Sequence, residues 1–231
     1  SFPLTFIAKS VIAFASSIVI FTRSGTSLCK DFLYILLPTT AAIAITDIVE
    51  KIAHNLKVAS KNKKELAAFA NAEEYKANLG EVLVIYYSWT GHTQDIAEQI
   101  ASLTKGDVHR IETEEDFKSS PAFYARVKKN LKEKTYPKLK GQMPNIDSYD
   151  TIFVGGPVWW YTMATPLYSF LGQMDFKGKK VIPFSTQGSN PGTFLQDFKN
   201  EAKNAPIGTY ANFNNVSAKY NTEVHNKIIH W

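Results

Sequence analysis

The pattern of hydrophobic and polar positions changes character near residue 80. Beyond it, short apolar runs such as VLVIYY at 82–87 alternate with stretches of helical spacing. A run with no polar position is typical of a strand buried on both faces of a parallel sheet. The pattern predicts strands at 82–87, 108–112, 151–155, 180–185 and 207–213, and helices at 93–103, 122–132, 165–171, 193–203 and 218–229. Strands that alternate with helices in this way predict an α/β fold, a doubly wound five-stranded parallel sheet.

The first 80 residues follow a different pattern. Residues 10–22 and 32–46 contain no charged residue, but each segment is shorter than the roughly 18–20 residues that a membrane-spanning helix needs. Residues 1–22 together contain only Lys9 as a charge, so this part could span a membrane. The alternative is a small helical subdomain in which both segments are core helices.

Residues 47–78 are predicted as a helix with a basic polar side. Such a helix either connects two parts of the chain through solvent or lies on an anionic membrane surface. The sequence thus divides into a helical, apolar extension and linker at 1–80 and an α/β domain at 81–231. We expect a cytoplasmic protein in which residues 1–46 are a candidate membrane contact.

Composition excludes several classes of function. The chain has 231 residues, 45% of them hydrophobic, and a net charge of +5. Because the charge is not concentrated and no nucleic-acid-binding motif is recognisable, we expect no nucleic-acid partner. The single cysteine, Cys29, rules out an internal disulfide framework and argues against a cysteine-rich metal site. We expect no metal site.

Three unusual segments follow three of the predicted strands: SWTGHT at 88–93, GGPVWWYT at 155–162 and STQGSNPG at 185–192. Ligands of doubly wound sheets bind beyond the carboxyl ends of the strands. Since all three segments are rich in glycine, hydroxyl groups or aromatic rings, we expect them to converge on one binding site.

The first segment has the character of a phosphate site at a helix N-terminus. Hydroxyl groups of Ser88, Thr90 and Thr93 can add hydrogen bonds to those of the backbone, and Gly91 allows a close approach. The segment contains no lysine and no GxGxxG pattern, which argues against a triphosphate or a dinucleotide. It favours a single terminal phosphate; the alternative is a plain helix cap.

The other two segments suit a planar ring. The sequence GGP at 155–157 predicts a sharp turn, followed by Trp159, Trp160 and Tyr161. An indole ring can stack on a flat heterocycle, although one or two of these rings could instead fill the gap between sheet and helix. The third segment offers polar contacts to ring heteroatoms through Ser185, Thr186, Gln187, Gly188 and Ser189.

Residues 81–231 resemble a short-chain flavodoxin-like domain. The resemblance rests on SWTGHT at 88–93, GGPVWW at 155–160 and PFSTQG at 183–188, which have the order and spacing of that family. It implies flavin mononucleotide (FMN), with the phosphate in the first segment and the isoalloxazine ring between the other two, flanked by Trp159 or Trp160. The implied cofactor-binding residues are Ser88, Trp89, Thr90, Gly91, His92, Thr93, Pro157, Val158, Trp159, Trp160, Tyr161, Ser185, Thr186, Gln187 and Gly188.

The resemblance implies one- or two-electron transfer through the flavin, with no catalytic side chain and with a redox protein or a small molecule as the partner. One alternative is an NAD(P)H-dependent quinone or nitro-compound reductase, and another is a non-redox, membrane-tethered binding module. Many electron-carrier flavodoxins are strongly acidic, whereas this domain is slightly basic, which weakens a simple carrier role. In addition, FPLTFIAKSVIAF at 2–14 resembles a transmembrane stretch of the substrate-binding subunits of bacterial vitamin transporters.

Overall fold

The structure is a computed structural model that describes residues 39–69, 77–115, 117, 121–214 and 221–231. The segment at 10–22, the transporter-like stretch, Cys29 and the beginning of the segment at 32–46 lie outside the described residues. Within the described part of the chain, no helix is both long and apolar enough to cross a membrane. The chain divides into two compact units, Ser1–Ser60 and Lys61–Trp231.

A single long helix, α1 (Thr39–Ala67), precedes the sheet. It begins earlier and ends earlier than the helix predicted at 47–78. No proline or glycine interrupts these 29 residues, so the backbone ladder can continue without a break. The apolar side chains of Ile48, Ile52 and Leu56 are exposed.

The second unit contains a parallel sheet with helices on both faces. Its strands are β1 (Val82–Tyr86), β2 (Asp107–Arg110), β3 (Thr151–Trp159), β5 (Lys180–Gln187) and β6 (Ala211–Asn214), with the short β4 (Thr162–Met163) beside β3. Its helices are α2 (His92–Thr104), α3 (Pro121–Glu133), α4 (Thr165–Gln173), α5 (Phe194–Glu201) and α6 (Asn221–His230). The order β2-β1-β3-β5-β6 confirms the predicted doubly wound five-stranded parallel sheet.

Two hydrophobic cores cover the two faces of this sheet. Helices α2 and α6 pack on one face through apolar side chains such as Ile96 and Ile228. Helices α3, α4 and α5 pack on the other through side chains such as Val127, Leu167 and Phe198. Because successive residues of a strand point to opposite faces, this arrangement explains why β1, residues 152–159 of β3 and residues 181–184 of β5 have no polar positions.

The predicted turn at GGP is wrong. Strand β3 continues through these residues to Trp159, and packing explains the two glycines. A Cβ atom at Gly155 would lie 2.3 Å from the ring of Phe184, and one at Gly156 would lie 1.9 Å from Cδ1 of Leu167. The chain reverses only at residues 160–161, here called the β3–β4 turn, so that β4 pairs antiparallel with β3.

The remaining differences concern the ends of elements. The predicted strand at 207–213 is shorter, because β6 begins at Ala211 and only an isolated bridge joins Ile207 to Val181. Strand β5 instead runs two residues further than predicted, to Gln187, where it still pairs with β6. Most helix ends differ from the prediction by one or two residues.

Candidate functional site

A cavity of about 320 Å³ lies beside the carboxyl ends of β3 and β5 and is called the aromatic cavity below. One wall consists mainly of aromatic rings, and the other is the start of the loop at 188–193, called the β5–α5 loop. The lining residues are Trp89, Phe123, Tyr124, Val127, Val158, Trp159, Trp160, Tyr161, Gln187, Gly188, Ser189 and Asn190. All three segments singled out in the sequence therefore contribute to one cavity.

The segment between β1 and α2 ends in an open helix N-terminus. Gly91 precedes the helix with a φ of 95° and a ψ of −27°, and among the described residues no side chain caps α2. Ser88, which is buried, instead accepts a hydrogen bond of 3.2 Å from the Gly91 N–H. The first N–H groups of a helix have no partner within it and carry partial positive charge, so this end suits an anion.

The other residues of this segment lie at different depths. Thr90 and His92 are exposed, and His92 is the first residue of α2. Thr93 is only 1% exposed, and its Oγ1 lies 2.8 Å from Oγ1 of Thr186. This contact joins the segment after β1 to strand β5. Thr93 is thus fixed within the protein near the carboxyl end of β5.

Trp159 belongs to the core. It is only 7% exposed and meets the rings of Phe117, Phe123 and Trp89 edge to face, with centroids 5.0–5.8 Å apart. Trp89 in turn stacks on Phe123 at 4.4 Å. These contacts correspond to the alternative in which a ring fills the space between sheet and helix, while part of Trp159 still reaches the cavity.

Trp160 and Tyr161 are the exposed rings of the wall, with 44% and 62% of their surface accessible. Both residues have left-handed backbone conformations, with φ of 50° and 63°, which is unusual for bulky residues. The indole Nε1 of Trp160 donates to the carbonyl oxygen of Tyr124 at 3.1 Å. The ammonium group of Lys128 lies 5.0 Å from the centre of the indole ring. Helix α3 therefore supports the Trp160 ring.

At the end of β5, the side chains form an internal network. Ser185 Oγ donates to Oε1 of Gln187 at 2.8 Å and accepts a hydrogen bond from Tyr210 at 2.5 Å. The amide nitrogen of Gln187 donates to Asn212 and Asn214 at 3.0 and 2.8 Å. Burial raises the pKa of Tyr210 to about 12. Since Gly188 has no side chain, it presents its backbone to the cavity.

The remaining predicted residues have mainly structural surroundings. Pro157 pairs with Thr186 across the sheet, and Val158 pairs with Met163. Val158 also lines the cavity. In the part of the chain that the structure describes, no group of three or more His, Cys, Asp or Glu residues could hold a metal ion.

Sequence reasoning missed the contribution of α3. Phe123, Tyr124 and Val127 line the cavity, although no motif marks them. The spacing of Phe123 and Val127 predicts the buried side of a helix. It does not reveal that this helix closes the cavity, because that depends on where α3 packs against the sheet.

Fold and site together define a class of protein: a doubly wound α/β protein with a helix N-terminus that no described side chain caps and an aromatic cavity at one sheet edge. A model of the flavodoxin family, described as Flavodoxin, matches residues 81–223. That is more than half of the chain, so the chain belongs to the flavodoxin family. As a flavodoxin it has FMN as its cofactor, which confirms the cofactor predicted from the sequence.

Solved structures with a similar fold agree with this assignment. A protein assigned as a flavoprotein from Bacteroides uniformis is 26% identical, with a TM-score of 0.56; the match covers 63% of this chain and 97% of that chain. A flavoprotein from Lactobacillus acidophilus in complex with FMN is 25% identical, with a TM-score of 0.53; the match covers 58% of this chain and 93% of that chain. No curated protein matches the chain.

Proposed function

We propose that this protein transfers electrons through FMN bound at the aromatic cavity. The observation that carries the proposal is the position of two complementary features at the same edge of one sheet. The N-terminus of α2 is free of side-chain caps among the described residues, as a phosphate requires, and the aromatic cavity offers a slot for a flat ring. FMN has both parts in one molecule.

The residues present fit the two ends of this cofactor. The first N–H groups of α2 and the hydroxyl groups of Ser88 and Thr90 would hold the phosphate. Trp160 and Tyr161 would face the ring from one side, and the β5–α5 loop would contact its polar edge through backbone groups. When bound, FMN supplies the chemistry of one- and two-electron transfer.

The rest of the protein controls access to the ring. Trp89, Phe123 and Trp159 form a close-packed aromatic floor, which excludes water from the inner side. The exposed Trp160 and Tyr161 lie at the solvent side, where a redox protein or a small electron acceptor can approach. Aromatic contacts and limited solvent access would control the reduction potential of the flavin, and neither requires an acidic or basic side chain of the protein.

One observation favours a reductase as the second candidate function. The apolar wall extends beyond the strand ends onto α3, where Tyr124 lines the cavity and is 51% exposed. A planar quinone or nitro-aromatic compound could stack there next to the flavin. Rapid NADPH oxidation by the loaded protein with a quinone, compared with a protein acceptor, distinguishes the two functions.

The proposal is tested by titrating the apoprotein of the full chain with FMN and, in parallel, with riboflavin. Riboflavin has the same ring but no phosphate, so it is a matched control ligand. We expect both flavins to lose fluorescence on binding and FMN to bind at least about tenfold more tightly, which corresponds to about 1.4 kcal/mol. Equal affinities would contradict the phosphate position, and no binding of either flavin would refute the proposed function.

A further inference from the structure

A cluster of hydroxyl groups surrounds one carboxylate on α5. Oδ2 of Asp197 accepts hydrogen bonds of 2.5 Å from the hydroxyl groups of both Thr162 and Thr193. The hydroxyl of Tyr168 lies 2.6 Å from that of Thr162. A threonine hydroxyl has only one proton, and that of Thr162 goes to Asp197. Tyr168 therefore donates to Thr162. The Thr193 hydroxyl has two acceptors within reach, Asp197 Oδ2 at 2.5 Å and the carbonyl oxygen of Tyr161 at 3.2 Å, and the nearer carboxylate takes its proton.

This cluster joins the two walls of the aromatic cavity. Thr162 follows the β3–β4 turn directly, whereas Thr193 ends the β5–α5 loop. The backbone N–H of Thr193 also donates to the carbonyl oxygen of Tyr161 at 2.7 Å. The preceding residue, Gly192, lies so close that a Cβ atom there would be 1.9 Å from the same oxygen. The walls meet at this carbonyl, and Asp197 holds both sides of the contact.

The β3–β4 turn needs such support. The left-handed conformations of Trp160 and Tyr161 are unfavourable for residues with side chains, and they persist only when the surroundings fix them. A carboxylate is well placed to do so, because Asp197 lies in the first turn of α5, where the helix favours negative charge. Tyr136 stacks on Tyr168 with ring centroids 4.7 Å apart. This contact fixes the position of Tyr168, the first donor in the series of hydrogen bonds that ends at Asp197.

We propose that Asp197 is a positioning residue of the flavin site. By accepting hydrogen bonds from Thr162 and Thr193, it fixes the distance between the β3–β4 turn and the β5–α5 loop, and thereby the affinity of the cavity for the ring. This inference depends on the proposed function. It assigns Asp197 no contact with the cofactor; its effect passes through Tyr161 and the loop.

The test compares full-chain Asp197→Ala with Asp175→Ala. Asp175 is a matched control, because its carboxylate also fixes a loop, by accepting from the Lys177 N–H and the Asn204 amide at 2.8–3.0 Å. It does not line the aromatic cavity. We expect Asp197→Ala to raise the dissociation constants of FMN and riboflavin by the same factor, about tenfold. Asp175→Ala should change neither, and Asp197→Asn should restore part of the affinity.

Hydrogen exchange in the apoprotein supplies a readout that needs no flavin. The amide of Thr193 and those of residues 160–163 should exchange faster in Asp197→Ala than in the wild type or in Asp175→Ala. Unchanged flavin affinity together with unchanged exchange at Thr193 would overturn the inference. A wild type that binds neither flavin would refute the proposed function instead, while the exchange measurement would still decide the role of Asp197.

Two milder variants keep the inference testable if Asp197→Ala does not fold. Thr162→Val and Thr193→Val each remove one hydroxyl group and keep the shape of the side chain. Because both hydroxyl groups act through one carboxylate, we expect their effects on flavin affinity to be non-additive when combined. Strictly additive effects, or none, would contradict a shared positioning role.

Discussion

Replacing Gly91 by alanine is a direct test of the phosphate end of the site. Gly91 has a φ of 95°, and a Cβ atom built there meets nothing within 4 Å. The substitution therefore introduces no clash, and its only cost is that of a left-handed backbone with a side chain, about 1–2 kcal/mol. The open space makes the result simple to interpret.

This cost must lower either the free energy of unfolding of the apoprotein or its affinity for FMN. If the loop keeps its conformation, the free energy of unfolding of the apoprotein falls by about 1–2 kcal/mol. If the loop relaxes, FMN must restore the original conformation, and its dissociation constant rises by about 5- to 30-fold for the same energy. We expect the second outcome to dominate, because Gly91 lies between two exposed residues, Thr90 and His92, and a Cβ atom there meets nothing that would resist a shift of the loop. Riboflavin, which has no phosphate, should keep its affinity.

Gly141→Ala is the matched control for Gly91→Ala. Gly141 has a φ of 74°, and a Cβ atom there also meets nothing within 4 Å, but it does not line the aromatic cavity. Urea denaturation and fluorescence titrations with both flavins give one free energy of unfolding and two dissociation constants for each variant. If Gly91→Ala leaves FMN affinity as unchanged as Gly141→Ala does, the phosphate is not held at the N-terminus of α2.

Three further predictions follow from packing, the cavity wall and burial. Gly155→Ala forces a methyl group against the ring of Phe184, so we expect urea denaturation to show a loss of about 1–3 kcal/mol; unchanged stability would show that the ring moves freely. Trp160→Ala removes an exposed wall ring and should shift the midpoint potential of bound flavin in a spectroelectrochemical titration, whereas an unchanged potential assigns ring contact elsewhere. Burial raises the pKa values of Tyr168 and Tyr210 to about 12. Tyrosine in the unfolded chain loses its proton near pH 10. The stabilisation from these two groups should therefore be fully present below pH 10, and the free energy of unfolding should fall between pH 10 and about 12. The fall should be smaller in Tyr210→Phe, and a flat profile in this range would refute the assignment.

The strands were predictable because a strand that is buried on both faces consists of consecutive apolar residues, a pattern that is easy to recognise in the sequence. Strand β1 has no polar position from Val82 to Tyr86 and is buried throughout, and its predicted end is wrong by only one residue. The ends of α3 were likewise predicted to within one residue. In these elements, local pattern and tertiary environment agree.

The glycines of β3 show where local pattern is insufficient. A GGP sequence is an equally good signal for a turn and for close packing. The decision between them depends on Phe184 and Leu167, which approach Gly155 and Gly156 from elsewhere in the chain. The β3–β4 turn was missed for a related reason, since its two positive φ values occur at bulky residues where sequence rules place none.

The convergence of the three segments on one cavity was predictable, but the hydrogen-bond partners of their side chains were not. The hydroxyl and amide groups of Ser185 and Gln187 were predicted to face a ring. The structure uses them to bind Tyr210, Asn212 and Asn214. These partners lie on β6 or next to it, and the pairing of β5 with β6 leaves no short-range signal in the sequence.

The three segments of the site are joined to each other in pairs. Thr93 bonds to Thr186, the Trp89 ring contacts Trp159, and the backbone N–H of Thr193, which directly follows the third segment, donates to Tyr161. The first contact joins the phosphate end to strand β5, the second joins it to β3, and the third joins the two cavity walls. A site held by three such contacts has little conformational freedom to lose when a ligand binds, and this raises affinity. For the same reason, removing either of the two hydrogen bonds should change flavin affinity more than it changes the stability of the fold, because the sheet and both of its cores remain intact.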